Sequence, residues 1–196
     1  MRGAKLAQCI VKLTYRGGDF LRGLWFFCLV KSCGGICRGV PKIGRGVILK
    51  YPPHSGYVIG KSCEIGPFCL FDIPPEGRIE IGDNVKFTAG VIISAAQEVL
   101  VGSNSLIAEW SSIRDSQHNY KASTFIREQG LSKGRVRIGS DVWIGRSVAV
   151  LKDSVLEDGC IVGAHSIVKD QLLEAGVVYV GVPLKKVGAR IGFEYE

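Results

Sequence analysis

At 196 residues, with 46% hydrophobic content and 26 glycines, the chain is too apolar for disorder and long enough for one domain or a repeat array with short appendages. Its formal charge of +7 asks for an anionic partner, whether membrane surface, acidic polysaccharide, phosphate-rich cofactor or nucleic acid. The basic residues fall singly or in pairs such as Lys185 and Lys186, without a basic run or a nucleic-acid motif, which argues against nucleic acid.

Lys12 and Arg16 break up any apolar run after Met1, so the N-terminus does not read as a signal peptide. The apolar stretch from Phe20 to Val30 is 11 residues long and contains Arg22, short of the roughly 20 needed to span a bilayer. A cytoplasmic protein is expected. Asp19 reads as the N-cap of a short helix whose Phe20, Leu21, Leu24, Trp25 and Phe27 cover the open end of a repeat array downstream. The rival reading is peripheral attachment to the inner face of a membrane, with Arg16, Arg22, Lys31 and Arg38 flanking the apolar residues.

Seven cysteines, at 9, 28, 33, 37, 63, 69 and 160, are an odd number without a C-x-x-C pair and read as reduced thiols. The spacing of Cys28, Cys33 and Cys37 is not that of a zinc site, and no metal is expected. His54, in YPPHSGY, reads as a turn residue or as an acceptor contact.

From Ile59 the chain acquires a six-residue period. Windows open at Ile59, Ile65 and Phe71, at Ile81, Phe87 and Ile93, and at Val101, Ile107 and Ile113. They then run without a slip through Ile138, Ile144, Val150, Leu156, Val162 and Val168. Seven of these windows place Gly second, which suits a backbone that must turn tightly, and most place a small or β-branched residue fifth. Six is neither a helical period nor simple alternation, and sandwich strands are not spaced in fixed six-residue register. Three windows make one triangular coil, and stacked coils hydrogen-bond in parallel around the first-position aliphatics. The spacing predicts an all-β solenoid over 59–175, a loop insertion over 119–137 directly after His118, an N-terminal capping segment with an irregular first coil over 1–58, and a tail over 176–196.

The stretch VRIGSDVWIGRSVAVLKDSVLEDGCIVGAHSIVKD, followed by VGVPLKKVGAR, resembles the hexapeptide-repeat acyltransferases, in particular their galactoside, maltose and polysaccharide O-acetyltransferase branch. The resemblance covers roughly residues 59–190. It implies a left-handed parallel β-helix, a homotrimer with each active site between two subunits, acetyl-CoA as co-substrate and a sugar or glycan acceptor.

Such a transfer needs a base to take the acceptor's hydroxyl proton, a task suited to imidazole. His118 closes the window IRDSQH before the long insertion, where the family places its catalytic histidine. Asp115, or Glu109, is the candidate to orient it, although Asp115 three residues away reads equally as a turn-stabilising side chain. By resemblance, the backbone N–H of Arg146 stabilises the oxyanion. Coenzyme A contacts map to Trp143, Gly145, Arg146, Ala164, Lys169, Lys185 and Arg190, and acceptor contacts to Thr88 and Glu109. His165 reads as a surface turn residue. Thr88 and the Ala95–Ala96 pair stand where the sugar enzymes carry Asn and Asp, which points toward a glycan, lipid-linked sugar or nucleotide sugar.

The competing readings are a sugar N-acetyltransferase, a xenobiotic acetyltransferase, a non-catalytic scaffold and a γ-type carbonic anhydrase. The last needs three converging histidines, and the spacing of His54, His118 and His165 fits it poorly.

Overall fold

The computed structural model describes residues 2–190 and 192, with side-chain environments from residue 17 onward. Each six-residue window forms a strand of two to four residues followed by a corner, because a short β-branched run cannot continue through the turn residues behind it. Three strands close one triangular coil. Seven coils stack, over residues 36–49, 57–72, 78–94, 98–114, 135–150, 154–168 and 172–180, the last one incomplete. The walls are a seven-stranded face A, an eight-stranded face B and a six-stranded face C, parallel throughout except for one strand at the end of face B. This three-sided winding is consistent with the left-handed β-helix implied by the family resemblance.

Register is kept by the interior. Ile81, Val101 and Ile138 lie opposite one another on face A, as do Phe87, Ile107 and Ile144 on face B. All 15 first-position side chains named from the sequence are buried in one continuous core. The ladders run beyond 59–175 in both directions, from Cys37 and Ile43 to Leu173 and Tyr179. At the C-terminal end, Lys185–Ala189 folds back antiparallel on Val177–Val180.

The second-position glycines do a different job from the one expected. None of the seven has a positive φ; the left-handed residue of each corner is the fourth, for example Asn84, Asn104 and Asp141. Gly is needed second because the next coil's backbone lies directly against it: a Cβ on Gly102 would stand 2.4 Å from the Gly139 carbonyl carbon. The fifth-position side chains answer the same closeness. Ser105 and Ser111 donate to the Gly139 and Gly145 carbonyls of the coil above and accept from Val142 and Val148 N–H.

Helix α1 spans Arg2–Ser32, so Asp19 is not an N-cap but a mid-helix residue paired with Arg22. The expected covering face is also rotated. Phe20, Leu21, Leu24 and Trp25 point to solvent, while Phe26 and Val30 enter the core and Phe27 packs at its edge. Gly23 sets that rotation, because a Cβ there would lie 1.8 Å from the Pro41 carbonyl oxygen. The side chain of Arg16 lies outside the described residues.

Gly102→Ala is expected to lower stability by about 1–3 kcal/mol through this backbone collision. Gly188→Ala, whose Cβ would meet no atom within 4 Å, should leave the thermal midpoint nearly unchanged in parallel melts.

Candidate active site

The corner between faces C and A holds the extra residues of the first four coils, at 50–56, 73–77, 95–97 and 115–134. The fourth carries His118. The chain leaves the solenoid after Asp115, as an antiparallel pair of Ser116–His118 with Leu131–Lys133, and rejoins it at Arg135. Thus the insertion begins three residues before His118, and the histidine rides on the outgoing strand, opposite Leu131.

The arm is held shut by Gln129, whose side chain accepts from Ala122 N–H and donates to the Ala122 and Thr124 carbonyls. Asn119 donates its side-chain amide to the Gln129 carbonyl. His118 is exposed and lines a cleft of about 540 Å³ with Asn119, Tyr120, Lys121, Gln129 and Ser132. Lys133 ties the returning strand to Glu76 of the Pro-Pro corner at 3.1 Å.

Asp115 is fully buried, and no hydrogen bond joins it to His118 among the described residues. Its carboxylate accepts from the backbone N–H of Ala96 at 2.8 Å and of Gln97 and Glu98 at 2.7 Å. Three backbone donors of the coil below are met by one side chain at the root of the arm. The expectation that Asp115 orients the imidazole directly therefore gives way to a structural placement: it fixes where the arm departs.

The other expected residues divide among different corners. Thr88, Glu109, Gly145, Arg146 and Ala164 share the corner between faces B and C in successive coils. There the Thr88 hydroxyl lies 3.3 Å from the Ile107 carbonyl and 3.5 Å from a Glu109 carboxylate oxygen. Glu109 is thus beside Thr88, not His118. A Cβ on Gly145 would meet Ala164 N at 2.7 Å, and Arg146 and Ala164 are exposed. Trp143 lies on the adjoining face B, half exposed, opposite Leu106 and Ile161. Lys185 sits on the folded-back tail, Lys169 on the corner that carries the arm, and Arg190 at the third corner, where it pairs with Asp141 at 2.6 Å.

His165 occupies a left-handed corner position and is exposed, while the Nδ1 of His54 accepts from Gly56 N–H. The three histidines lie in three different coils, and among the described residues no three His, Cys, Asp or Glu side chains converge as a metal site. Burial pushes the Cys69 thiol up to about 11 and the Cys160 thiol up to about 12, which marks these interior thiols as packing groups. Sequence reasoning missed Gln129, Lys133 and Glu76. No motif marks them, because their partners lie across an irregular loop or, for Lys133 and Glu76, 57 positions away.

A family model described as Bacterial transferase hexapeptide (six repeats) matches residues 135–170. The chain is 32% identical over 157 residues to Rv3034c of Mycobacterium tuberculosis, named as an acetyltransferase, covering 79% of this chain but about half, 52%, of that protein. It is 33% identical to WbbJ of Escherichia coli, named as a lipopolysaccharide biosynthesis O-acetyl transferase, covering 64% of this chain and 68% of that one. An Escherichia coli dTDP-4-amino-4,6-dideoxy-D-glucose acyltransferase is 32% identical, with 67% and 71% covered. Among solved structures, AntD, an N-acyltransferase from Bacillus cereus in complex with dTDP and 3-hydroxybutyryl-CoA, superposes with a TM-score of 0.67 at 22% identity, covering 82% of this chain and 86% of that one.

Asp115→Ala is expected to destabilise the fold by about 1–3 kcal/mol, since it strips the buried Ala96 N–H of its acceptor while Gln97 and Glu98 lie nearer to water. A residue that served only to hold the imidazole would leave the denaturation midpoint where it is.

Proposed function

The chain belongs to the hexapeptide-repeat acyltransferases, and on that premise we propose that it moves an acetyl group from acetyl-CoA to a hydroxyl of a sugar or glycan precursor, with His118 as general base. The observation that carries this reading is the separation of the two halves of the chemistry. His118 stands on an arm at the corner between faces C and A, while Gly145, Arg146 and Ala164 stand at the corner between faces B and C. Two corners of one triangular prism point apart, so a base on one copy meets a thioester on the next. A closed ring of three copies supplies three such meetings.

In that arrangement the imidazole of His118 takes the hydroxyl proton as the acceptor oxygen attacks the thioester carbonyl. The developing oxyanion is met by the backbone N–H of Arg146, which makes no backbone hydrogen bond among the described residues. Collapse expels the thiolate of coenzyme A, which recovers the proton from the imidazolium and leaves the acetyl ester. Arg146 stands where the family often has serine, so the donor is its main chain. The small Ala164 leaves room for the pantetheine arm beside it, and Trp143, Lys169 and Lys185 are candidates for the rest of the coenzyme. Arg190, held by Asp141, is the weakest of that set. The neighbours Thr88 and Glu109 offer polar groups toward an acceptor in the same gap.

A second reading, transfer to an amino sugar, is favoured by the likeness to the dTDP-4-amino-4,6-dideoxy-D-glucose acyltransferase and to AntD. The same base serves either nucleophile. Thiol release from acetyl-CoA across paired hydroxyl and amino acceptors, including nucleotide sugars, separates the two.

His118→Ala is expected to melt like wild type and to retain coenzyme A binding by calorimetry, while turnover falls by about 10²–10⁴-fold. Undiminished turnover in the folded variant would remove His118 from the mechanism.

A further inference from the structure

The charge of this chain is not spread over it. Residues 1–58 hold ten Lys and Arg against one acid, Asp19, whereas the remaining 138 residues hold 15 basic and 17 acidic residues. The formal +7 is therefore a +9 end attached to a body of −2. That end is α1 and the first coil.

The helix uses only one side to close the solenoid. Gly23, Phe26 and Val30 press on the first coil, and on the opposite side Leu21 is 66% and Trp25 62% exposed, with Phe20, Leu24 and Cys28 exposed beside them. Apolar surface continues past the helix. Trp25 and Leu29 form one wall of a cleft of about 430 Å³ whose other wall is Ile43, Val47, Leu49 and Pro52. Two cations stand near the patch, Lys31 over the Phe27 ring and Arg45 over Phe68, whereas Arg38 lines a separate cleft with Glu80, Asp83 and Asp158. Lys31, Arg38 and Arg45 make no ion pair among the described residues. No described helix is long and apolar enough to cross a membrane.

Arg22, Lys42 and Lys50 are paired with Asp19, Glu64 and Asp72, which leaves Lys31 and Arg45 as the unpaired cations near an uncovered apolar helix face with aromatic residues, the chemistry of a helix that lies in a bilayer interface. We infer that α1 docks the protein on an anionic lipid surface through Phe20, Leu21, Leu24, Trp25 and Cys28. A second protein copy is the poorer occupant, since this end would bring +9 against +9. Docking sets the α1-capped end of the solenoid toward the headgroups. The arm bearing His118 leaves coil 4, at the same corner as Tyr51–Pro53 of coil 1, three coil spacings or about 14 Å away. On the reading of His118 as the base, this suits an acceptor sugar carried on a lipid.

The test is co-sedimentation of the full chain with vesicles, and it needs no acceptor or turnover. Wild type should bind phosphatidylglycerol-containing vesicles at least about tenfold more tightly than pure phosphatidylcholine ones, with binding weakened by salt. Leu21→Glu combined with Leu24→Glu should lose about tenfold or more while melting like wild type. Leu172→Glu, an exposed leucine in the last coil, should bind undiminished. As a check independent of those variants, Trp25 emission in a Trp110→Phe, Trp143→Phe background should shift to the blue on anionic vesicles and be quenched by brominated acyl chains. Absence of binding to anionic vesicles, or equal binding by the double variant, overturns the inference. So does a fall in oligomer size caused by the double variant without any lipid binding by wild type, which would give the face to a second copy. None of these results depends on the identity of the base.

Discussion

Everything in this molecule depends on the close parallel stacking of one coil's backbone on the next. Adjacent strands in a sheet sit about 4.7–4.9 Å apart, and in a solenoid that spacing applies all round the triangle, corners included. At the corners the constraint falls on backbone with little room. Gly60, Gly82, Gly102 and Gly139 are glycine because the coil above occupies the place of a Cβ. Cys63, Cys69, Ser105 and Ser111 turn the same closeness into hydrogen bonds to carbonyls of that coil. Extra residues can leave such a stack only where they need not be repeated in the next coil. Here the longest insertions leave from one corner, which thereby becomes the place for chemistry that the solenoid itself cannot hold.

The repeat was legible because its physics is local. A buried aliphatic residue or Phe every six residues is visible in the sequence, and the 15 positions named from it all lie in the core of the structure. The meaning of the second-position glycine was not legible, since its reason lies in backbone about 20 positions away or more: Gly60 answers Gly82, Gly102 answers Gly139. The rotation of α1 was hidden for the same reason. Phe20, Leu21, Leu24 and Trp25 are as apolar as Phe26 and Val30, and only the contact of Gly23 with Pro41 decides which set is buried.

At the candidate site the sequence marked His118 by its place before a break in register, and the structure sets it on an exposed arm beside a cleft. Asp115 could be singled out, with a backbone-stabilising role as one of its two readings, but its partners could not be named. Its three partners, Ala96, Gln97 and Glu98, belong to the preceding corner, so an aspartate three residues from a histidine turns out to serve the coil beneath it. The residues assigned to coenzyme A came from a linear match, which cannot see that Arg190 and Arg146 stand at different corners. On the proposed function, that dispersal is answered by a site shared between copies.

That shared site is the centre of the account, and subunit complementation measures it directly. His118→Ala and Ala164→Trp, each lacking one half, should both be inactive in acetyl-CoA-dependent thiol release with an acceptor used by wild type. Co-expressed so that chains assort at random in a trimer, they should regain roughly a quarter of wild-type activity, the share of pairings in which an intact arm faces an intact corner. Mixed assemblies that remain inactive, or an Ala164→Trp chain that is active alone, would contradict a site built from two copies.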